Sequence, residues 1–525
     1  MRGVAWLLLA ALGGLQGRSD PHRADPQRAN PRDLLAATRE ALGGDRWNQI
    51  AAVRTTGIGY TNALEQSERP EGPWIKTFEQ FTELRDLRAP RVRRTVQSRS
   101  AVWGADWSPP LVRIADTASA VWERGGRQVP GRIADLEAAA EGMLLAPERI
   151  VATAAAASDL QQLPDTTVAG VRNHRLAFTF RNRRAELLLD VNTALPSGYL
   201  LRGPSPAGFD RVWGDVTRAV WYSLWSFDPP GLRYPRMVVE ELNGQPLREM
   251  SITAVAFLHE PPADSLAIAD SLRPAFLAMN AMAPSPATAR LGRSWQGDSL
   301  PAIEPAPGIV VLPGLWYTSI VRHQTGVTIL EAPIGPEYSA QVLAEAAKRY
   351  PGMPVTGVVT TSDAWPHLAG IREYVARDVP IHHLDLNRRI LERLVRAPWR
   401  TEPDSLERRR QAAKSPVSVR WEAVGRRTVI GEGPNRMEII PARGEGAERM
   451  LLVWFPEHRL LYASDLLQPQ PQGGFFWPEY VLEVTEIARR EELEPRTVWA
   501  MHADPMPWSE VVAAVERVRG SDRSP

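Results

Sequence analysis

Residues 355–370 read VTGVVTTSDAWPHLAG. A short β-branched apolar run passes into a polar loop, and the loop passes into a helix that opens near His367. Such a run predicts a buried strand over 355–361. A side chain just past its end then lies at a sheet rim, where open α/β architectures place ligands. Two later runs end alike: RLLYAS over 459–464 stops at Asp465, and RTVWAM over 496–501 stops at His502. The separations are 98 residues from His367 to Asp465 and 37 more to His502. Local structure cannot span them, so a fold must bring the three side chains together.

Around this corner the chain alternates strand and helix. Strands are predicted over 309–317, 326–330, 417–422, 428–431, 438–441 and 496–501, with a hairpin over 450–455 and 459–463. Helices are predicted over 337–350, 368–376, 384–396, 480–490 and 508–518. The spacing of Tyr338, Val342, Leu343 and Ala346 gives the first of these helices one apolar face.

The corner resembles that of the metallo-β-lactamase superfamily, in which an apolar strand ends in a His-x-His-x-Asp-His loop. The residues that carry the likeness are 362–370 (SDAWPHLAG), 460–465 (LLYASD), 502–505 (HADP), 314–316 (GLW) and 328–333 (TILEAP). It covers about 210 residues, and it implies an αββα sandwich over 309–520. The departures matter as much. Ser362, Ala364 and Pro366 stand where that motif has His, His and Asp, and residues 443–448 offer no middle His. By the resemblance, one of two metal sites is lost, and His367, Asp465 and His502 remain of the other. Two imidazoles and a carboxylate with an open position can bind zinc and acidify water. The cofactor expectation is therefore at most one zinc per chain, with Asp465 also in a catalytic role. Asp363 and Glu445 are candidate fourth ligands. The same donor set serves non-haem iron, although nothing else in the sequence points to oxygenase chemistry. The bland reading stands beside this one: a rim of residual polar residues that only tie loops together. His382 and His383 read as packing or surface residues, and His458 as a solvated turn residue. His323, His174 and His259 have no evident partners, and Asp504 reads as orienting the backbone near His502.

The first half reads differently. Residues 31–42 have helical spacing and end at Gly43–Gly44. From 50 to 259 the pattern is one of strands, interrupted by an Ala-rich helix over 134–157. The run 190–257, with a turn at Leu195–Pro196 and an Asn-Gly hairpin, resembles in cadence the outer-membrane lipoprotein carriers of the LolA/LolB kind. That resemblance implies an antiparallel half-barrel over 31–260 and, functionally, a greasy cavity for an acyl chain. Trp103, Trp107, Trp122, Trp213, Trp221 and Trp225 belong to this half. The blander reading, which we favour, is a Trp-rich sheet core. Residues 261–308 carry eight prolines and read as a linker with a short helix near 263–280.

A chain of 525 residues calls for more than one core. The fold class is thus α+β in two domains. A net charge of +1 with scattered arginines gives no footprint for nucleic acid. The absence of cysteine excludes disulfides and thiolate chemistry. No P-loop, dinucleotide fingerprint or Gly-x-Ser-x-Gly elbow is present. Residues 1–19 have the charged start and short apolar run of a signal peptide. The protein is therefore expected to be periplasmic or secreted, touching membrane only through an uncleaved N-terminus. The functional expectation is a metal-dependent hydrolase acting on a small-molecule ester, lactone or amide. The alternative is an inactive periplasmic binding or envelope-assembly protein that holds a lipid or peptide in the half-barrel.

Overall fold

A computed structural model describes residues 30–64, 72–101, 105–205, 212–229, 231–262, 265–282, 289–294, 297–413, 416–470 and 473–521. The signal-peptide reading of residues 1–19 and Trp103 lie outside them.

The first helix, Pro31–Leu42, starts on Asn30, whose side chain accepts from the Arg32 amide at 3.0 Å. It ends at Gly43, whose φ of 131° suits glycine. The strands of the first half form one thirteen-stranded antiparallel sheet. Strand order follows chain order as two meanders. They join where the first strand, Ala52–Asn62, lies between Lys76–Asp86 and Gln245–Leu258. The helix expected over 134–157 is two helices, Ile133–Leu144 and Ile150–Ala156. Pro147 falls in the break, where it removes a donor and disfavours helix at the residue before it.

One face of this sheet and the helix Ile133–Leu144 line a cavity of about 1000 Å³. Its lining mixes apolar side chains, among them Val96, Ile114, Val220 and Met250, with charged ones, and a tryptophan core does not describe it. Trp107 is exposed, and Trp213 packs against the second half. The cavity wall carries a run of alternating charges. Arg218 pairs with Glu141 at 2.5 Å and Glu240 at 2.6 Å. Glu240 faces Arg248 at 3.8 Å, and Arg248 Nε donates to Glu79 at 2.8 Å. Arg94 bridges Glu79 at 3.4 Å and Glu83 at 2.8 Å, and Arg85 joins Glu83 to Glu148. Burial alone would raise Glu83, but Arg85 and Arg94 outweigh it and hold the carboxyl at about 2. Alternation on the strands put these charges inside, and no apolar-periodicity argument reveals a charged concave face.

Residues 261–308 do more than link. Leu266 is buried against Ala52 and Leu84, and Phe276 of the helix Leu272–Met282 against Val92, Ala115, Ala120 and Met143. The next sheet begins within this stretch, at Ile303–Ala306.

The second half holds two sheets. One has seven strands in chain order from Ile303–Ala306 to Trp421–Val424, and its last four, starting at Val327–Leu330, run parallel. The other has six strands from Thr428–Ile430 to Ala503–Pro507, with one parallel pair, Leu460–Tyr462 beside Thr497–Ala500. Their facing residues share a core that includes Val311, Leu330, Val359, Val453, Phe455 and Trp499. Helices Pro336–Arg349, Ile371–Ala376 and Arg388–Arg396 pack on the outside of the first sheet. Helices Pro478–Arg490 and Trp508–Ser521 pack on the outside of the second. The layers are helix, sheet, sheet, helix. Strands covered on both sides read as continuous apolar runs, which is why they were legible.

Two local differences shape the site. The strand expected over 309–317 breaks at Pro313–Gly314 into Ile309–Leu312 and Thr318–Arg322, leaving Trp316 in the turn. The helix expected over 368–376 is Trp365–Leu368 followed by Ile371–Ala376. At the break, a Cβ on Gly370 would lie 2.0 Å from Ser339 Oγ.

Trp499 is fully buried between the sheets, stacked on Phe455 and donating to Ser319 Oγ at 3.2 Å. Trp499→Ala is expected to cost about 3–5 kcal/mol, read as a lowered urea midpoint of the second half. An unchanged midpoint would contradict this packing.

Candidate metal centre

Three strand ends build the site. Leu460–Tyr462 and Thr497–Ala500 are parallel neighbours with Tyr462 opposite Trp499. Asp465 and His502 each follow three residues later, so the pairing delivers them side by side. His502 Nε2 lies 2.8 Å from Asp465 Oδ1. Val355–Thr360 belongs to the other sheet and leads through residues 361–364 into the helix Trp365–Leu368, which carries His367. His367 Nδ1 lies 3.7 Å from Asp465 Oδ2 and 3.1 Å from Ser362 Oγ. One ligand atom from each of His367, Asp465 and His502 lies within 4.8 Å of the others.

A hydrogen-bonded stitch under the rim holds the two sheets in register. Thr361 Oγ1 donates to Ser464 Oγ at 2.7 Å, Leu451 N to Thr361 O at 2.8 Å, and Met501 N to Ser464 O at 2.8 Å. Ser464 sits at φ 52°, a left-handed conformation uncommon for serine. That turn precedes Asp465 directly. Glu331 is buried beneath, bonded to Thr361 Oγ1 and, at 3.1 Å, to Tyr462 Oη. Burial dominates its titration and pushes it up to about 7, despite the hydrogen bonds from Thr361 and Tyr462.

Electrostatics suit a metal ligand set. Burial drives His367 down to about 4; Asp465 opposes this and His502 adds to it. The imidazole is therefore neutral near pH 7, with a lone pair available. Burial would raise Asp465, but His367 and His502 hold it below its usual range. Gln468 Nε2 donates to Asp465 Oδ1 at 3.0 Å and fixes the carboxylate. The Trp316 ring lies edge-on to both imidazoles, 5.6 Å from His367 and 6.4 Å from His502. His367 is 5% exposed and His502 27%, so the cluster meets solvent on the His502 side. The Trp365 ring packs on the helix side, 6.5 Å from Trp213 of the first half.

Of the residues named from sequence, His367, Asp465 and His502 come together, whereas Asp363 and Glu445 are outside the group. Asp363 is buried in the loop, and Glu445 is exposed. Ser362, next to Asp363, takes the place facing His367, and successive side chains of an extended loop face opposite ways. Other histidines have partners of their own. His383 is buried on Trp421, and His323 bonds Thr328 Oγ1 at 3.1 Å. His458 corrects the solvated reading, since its Nε2 bonds Asn435 Oδ1 at 2.7 Å. His174 meets Asp165 at 3.0 Å, and His259 meets Gln49 O at 3.0 Å. Asp504 hydrogen-bonds Tyr317. Sequence reasoning missed Glu331, Gln468 and the rim position of Trp316. Only the Pro313–Gly314 break could have signalled the last.

No family model matches the chain, and no curated protein does. Among solved structures, it is similar to a metallo-β-lactamase from Pontibacter korlensis, at 14% identity and TM-score 0.32, over 42% of this chain and 98% of that one. It is also similar to the DIM-1 metallo-β-lactamase, at 11% identity and TM-score 0.33, over 44% and 100%. A third is a metallo-β-lactamase from Erythrobacter litoralis, at 12% identity and TM-score 0.32, over 42% and 96%.

The raised Glu331 gives a pH prediction. The folded protein keeps a proton there that the unfolded chain releases above its ordinary 4.5. This contribution is full below 4.5 and is lost as pH rises through about 7. Glu331→Gln cannot ionise. The melting temperature of the parent minus that of the variant is expected to fall between about pH 5 and about pH 8. A difference independent of pH would contradict the assignment.

Proposed function

We propose that the second half is a metal-dependent hydrolase of the metallo-β-lactamase kind, working with a single metal ion on a small-molecule ester, lactone or amide. The observation that carries this reading is the meeting of His367, Asp465 and His502 at one rim, with His502 open to solvent. Two imidazoles and a carboxylate fit zinc, leaving a position open. Bound there, zinc would polarise a carbonyl and acidify water toward neutrality. The chain's own residues do the rest. His367 and His502 offer nitrogen lone pairs. Asp465, its carboxyl held below the usual range and fixed by Gln468, would be the third ligand and the group that orients the water. Trp316 walls one side of the pair and excludes water there.

A single ion follows from the sequence. Ser362, Ala364 and Pro366 leave no donor set for a second one, and Ser362 Oγ instead faces His367 Nδ1. With this reading we carry two companions drawn from sequence alone: export to the periplasm or beyond by residues 1–19, and a carrier-like half-barrel in the first half.

The test is turnover of a panel of p-nitrophenyl esters, acyl lactones and β-lactams by chelator-stripped protein, before and after zinc is restored. Zinc is expected to restore hydrolysis of one class. The double variant His367→Ala/His502→Ala is expected to lose at least about 100-fold. Turnover indifferent to zinc and to both substitutions would overturn the reading.

A further inference from the structure

The charged cavity of the first half is unexplained by stability. A buried ion pair is often no more stabilising than apolar side chains of the same volume, so a face needing only to be filled had an easier solution. This face is instead kept open. Its central strand places Gly57 and Gly59 at positions that share a face with the cavity-lining Thr55 and Thr61. Gly59 lies opposite Glu79 on one neighbouring strand and Met250 on the other. With no side chain there, Arg248 and Glu79 reach each other across the intervening strand.

The result is a row, Arg218, Glu240, Arg248, Glu79 and Arg94, in which cation and anion alternate and every member is already paired. It crosses six strands, from Asp215–Asp228 through to Arg91–Ser100. Five interstrand steps span about 24 Å, the length of about seven extended residues. A wall of paired charges does not call for a ligand charge. It offers N–H donors and carboxylate acceptors in alternation, the pattern that a peptide backbone presents in reverse. Beside the row, Val220, Val238, Met250 and Ile252 give an apolar strip for side chains. A saccharide would seek bare aromatic faces, but the Phe81 ring is covered by the Arg94 guanidinium, 4.4 Å above its centre, and Tyr199, Tyr222 and Tyr234 are buried in the wall. The volume, about 1000 Å³, is at the upper end for a ligand pocket.

We infer that this cavity is a second binding site, separate from the metal-centre reading, for an extended uncharged peptide segment of about seven residues. The backbone lies along the charged row and apolar side chains lie on the Val–Met–Ile strip.

The experiment is saturation-transfer NMR on the full chain. The probes are a pool of N-acetylated, C-amidated heptapeptides of Val, Ala, Ser, Thr and Gly, a five-sugar malto-oligosaccharide, and lauric acid. Saturable transfer is expected to the peptides and not to the other two. Because the charged residues lining the cavity balance, five arginines against five carboxylates, the peptide affinity should change less than about twofold between low and physiological salt. Thr61→Trp places a large side chain in the cavity from a half-buried position, and should weaken the peptides at least tenfold. A peptide signal that Thr61→Trp leaves intact, in a variant that melts with the parent, overturns the proposal. So do saturable transfer to the sugar or the fatty acid in place of the peptides, and no transfer to the peptides at all. If Thr61→Trp melts early, the three probes on the parent decide alone.

Discussion

Two hydroxyls, on Thr361 and Ser464, fix the second half's chemistry. Each follows the end of a strand in a different sheet, and the bond between them at 2.7 Å, with Ser464 Oγ also 3.1 Å from Thr361 O, ties those ends together. Everything at the rim is measured from this stitch. His367 lies six residues beyond Thr361, and Asp465 directly follows Ser464. Met501 N, just before His502, also bonds Ser464 O. Slip one sheet against the other and the three donors part. The stitch is fully buried, as are Glu331 and Tyr462 beneath it, so its bonds are protected from exchange with water.

How much of this was legible in the sequence depended on the kind of signal. Asp465 and His502 could be named because each closes an apolar run, and His367 because the loop after another such run leads to it; apolar runs are what strands between two layers look like. The four-layer arrangement was expected from the resemblance that the corner's residues carry, and not from the runs themselves. Asp363 and Glu445 were named from proximity in sequence, which carries no information on which way a loop side chain turns. Glu331 was invisible as an acid at the site. A buried carboxyl at the end of TIL reads like any strand-end residue until Thr361 and Tyr462 are seen to bond it.

The first half shows the opposite limit. Its antiparallel strands were legible from alternation and turns, yet its interior was not. Alternation says which residues share a face, while the choice between inside and outside was made on apolarity. On strand Lys76–Asp86 the cavity face carries Glu79, Phe81, Glu83 and Arg85, three charges to one ring. Such charges go inside only because partners on neighbouring strands meet them, and partner choice is a property of the assembled sheet. The two halves are also in contact. Asp215 Oδ2 accepts from Arg400 N and Thr401 N at 2.8 and 3.1 Å, and Trp213 lies against Trp365.

The central claim is that the rim holds one metal ion, and metal content tests it most directly. Elemental mass spectrometry would be run on the chain purified without chelator and dialysed against trace zinc, beside His367→Ala/His502→Ala. The account predicts about one zinc per chain in the parent and near none in the variant. Near-zero metal in both, or equal metal in both, would contradict it.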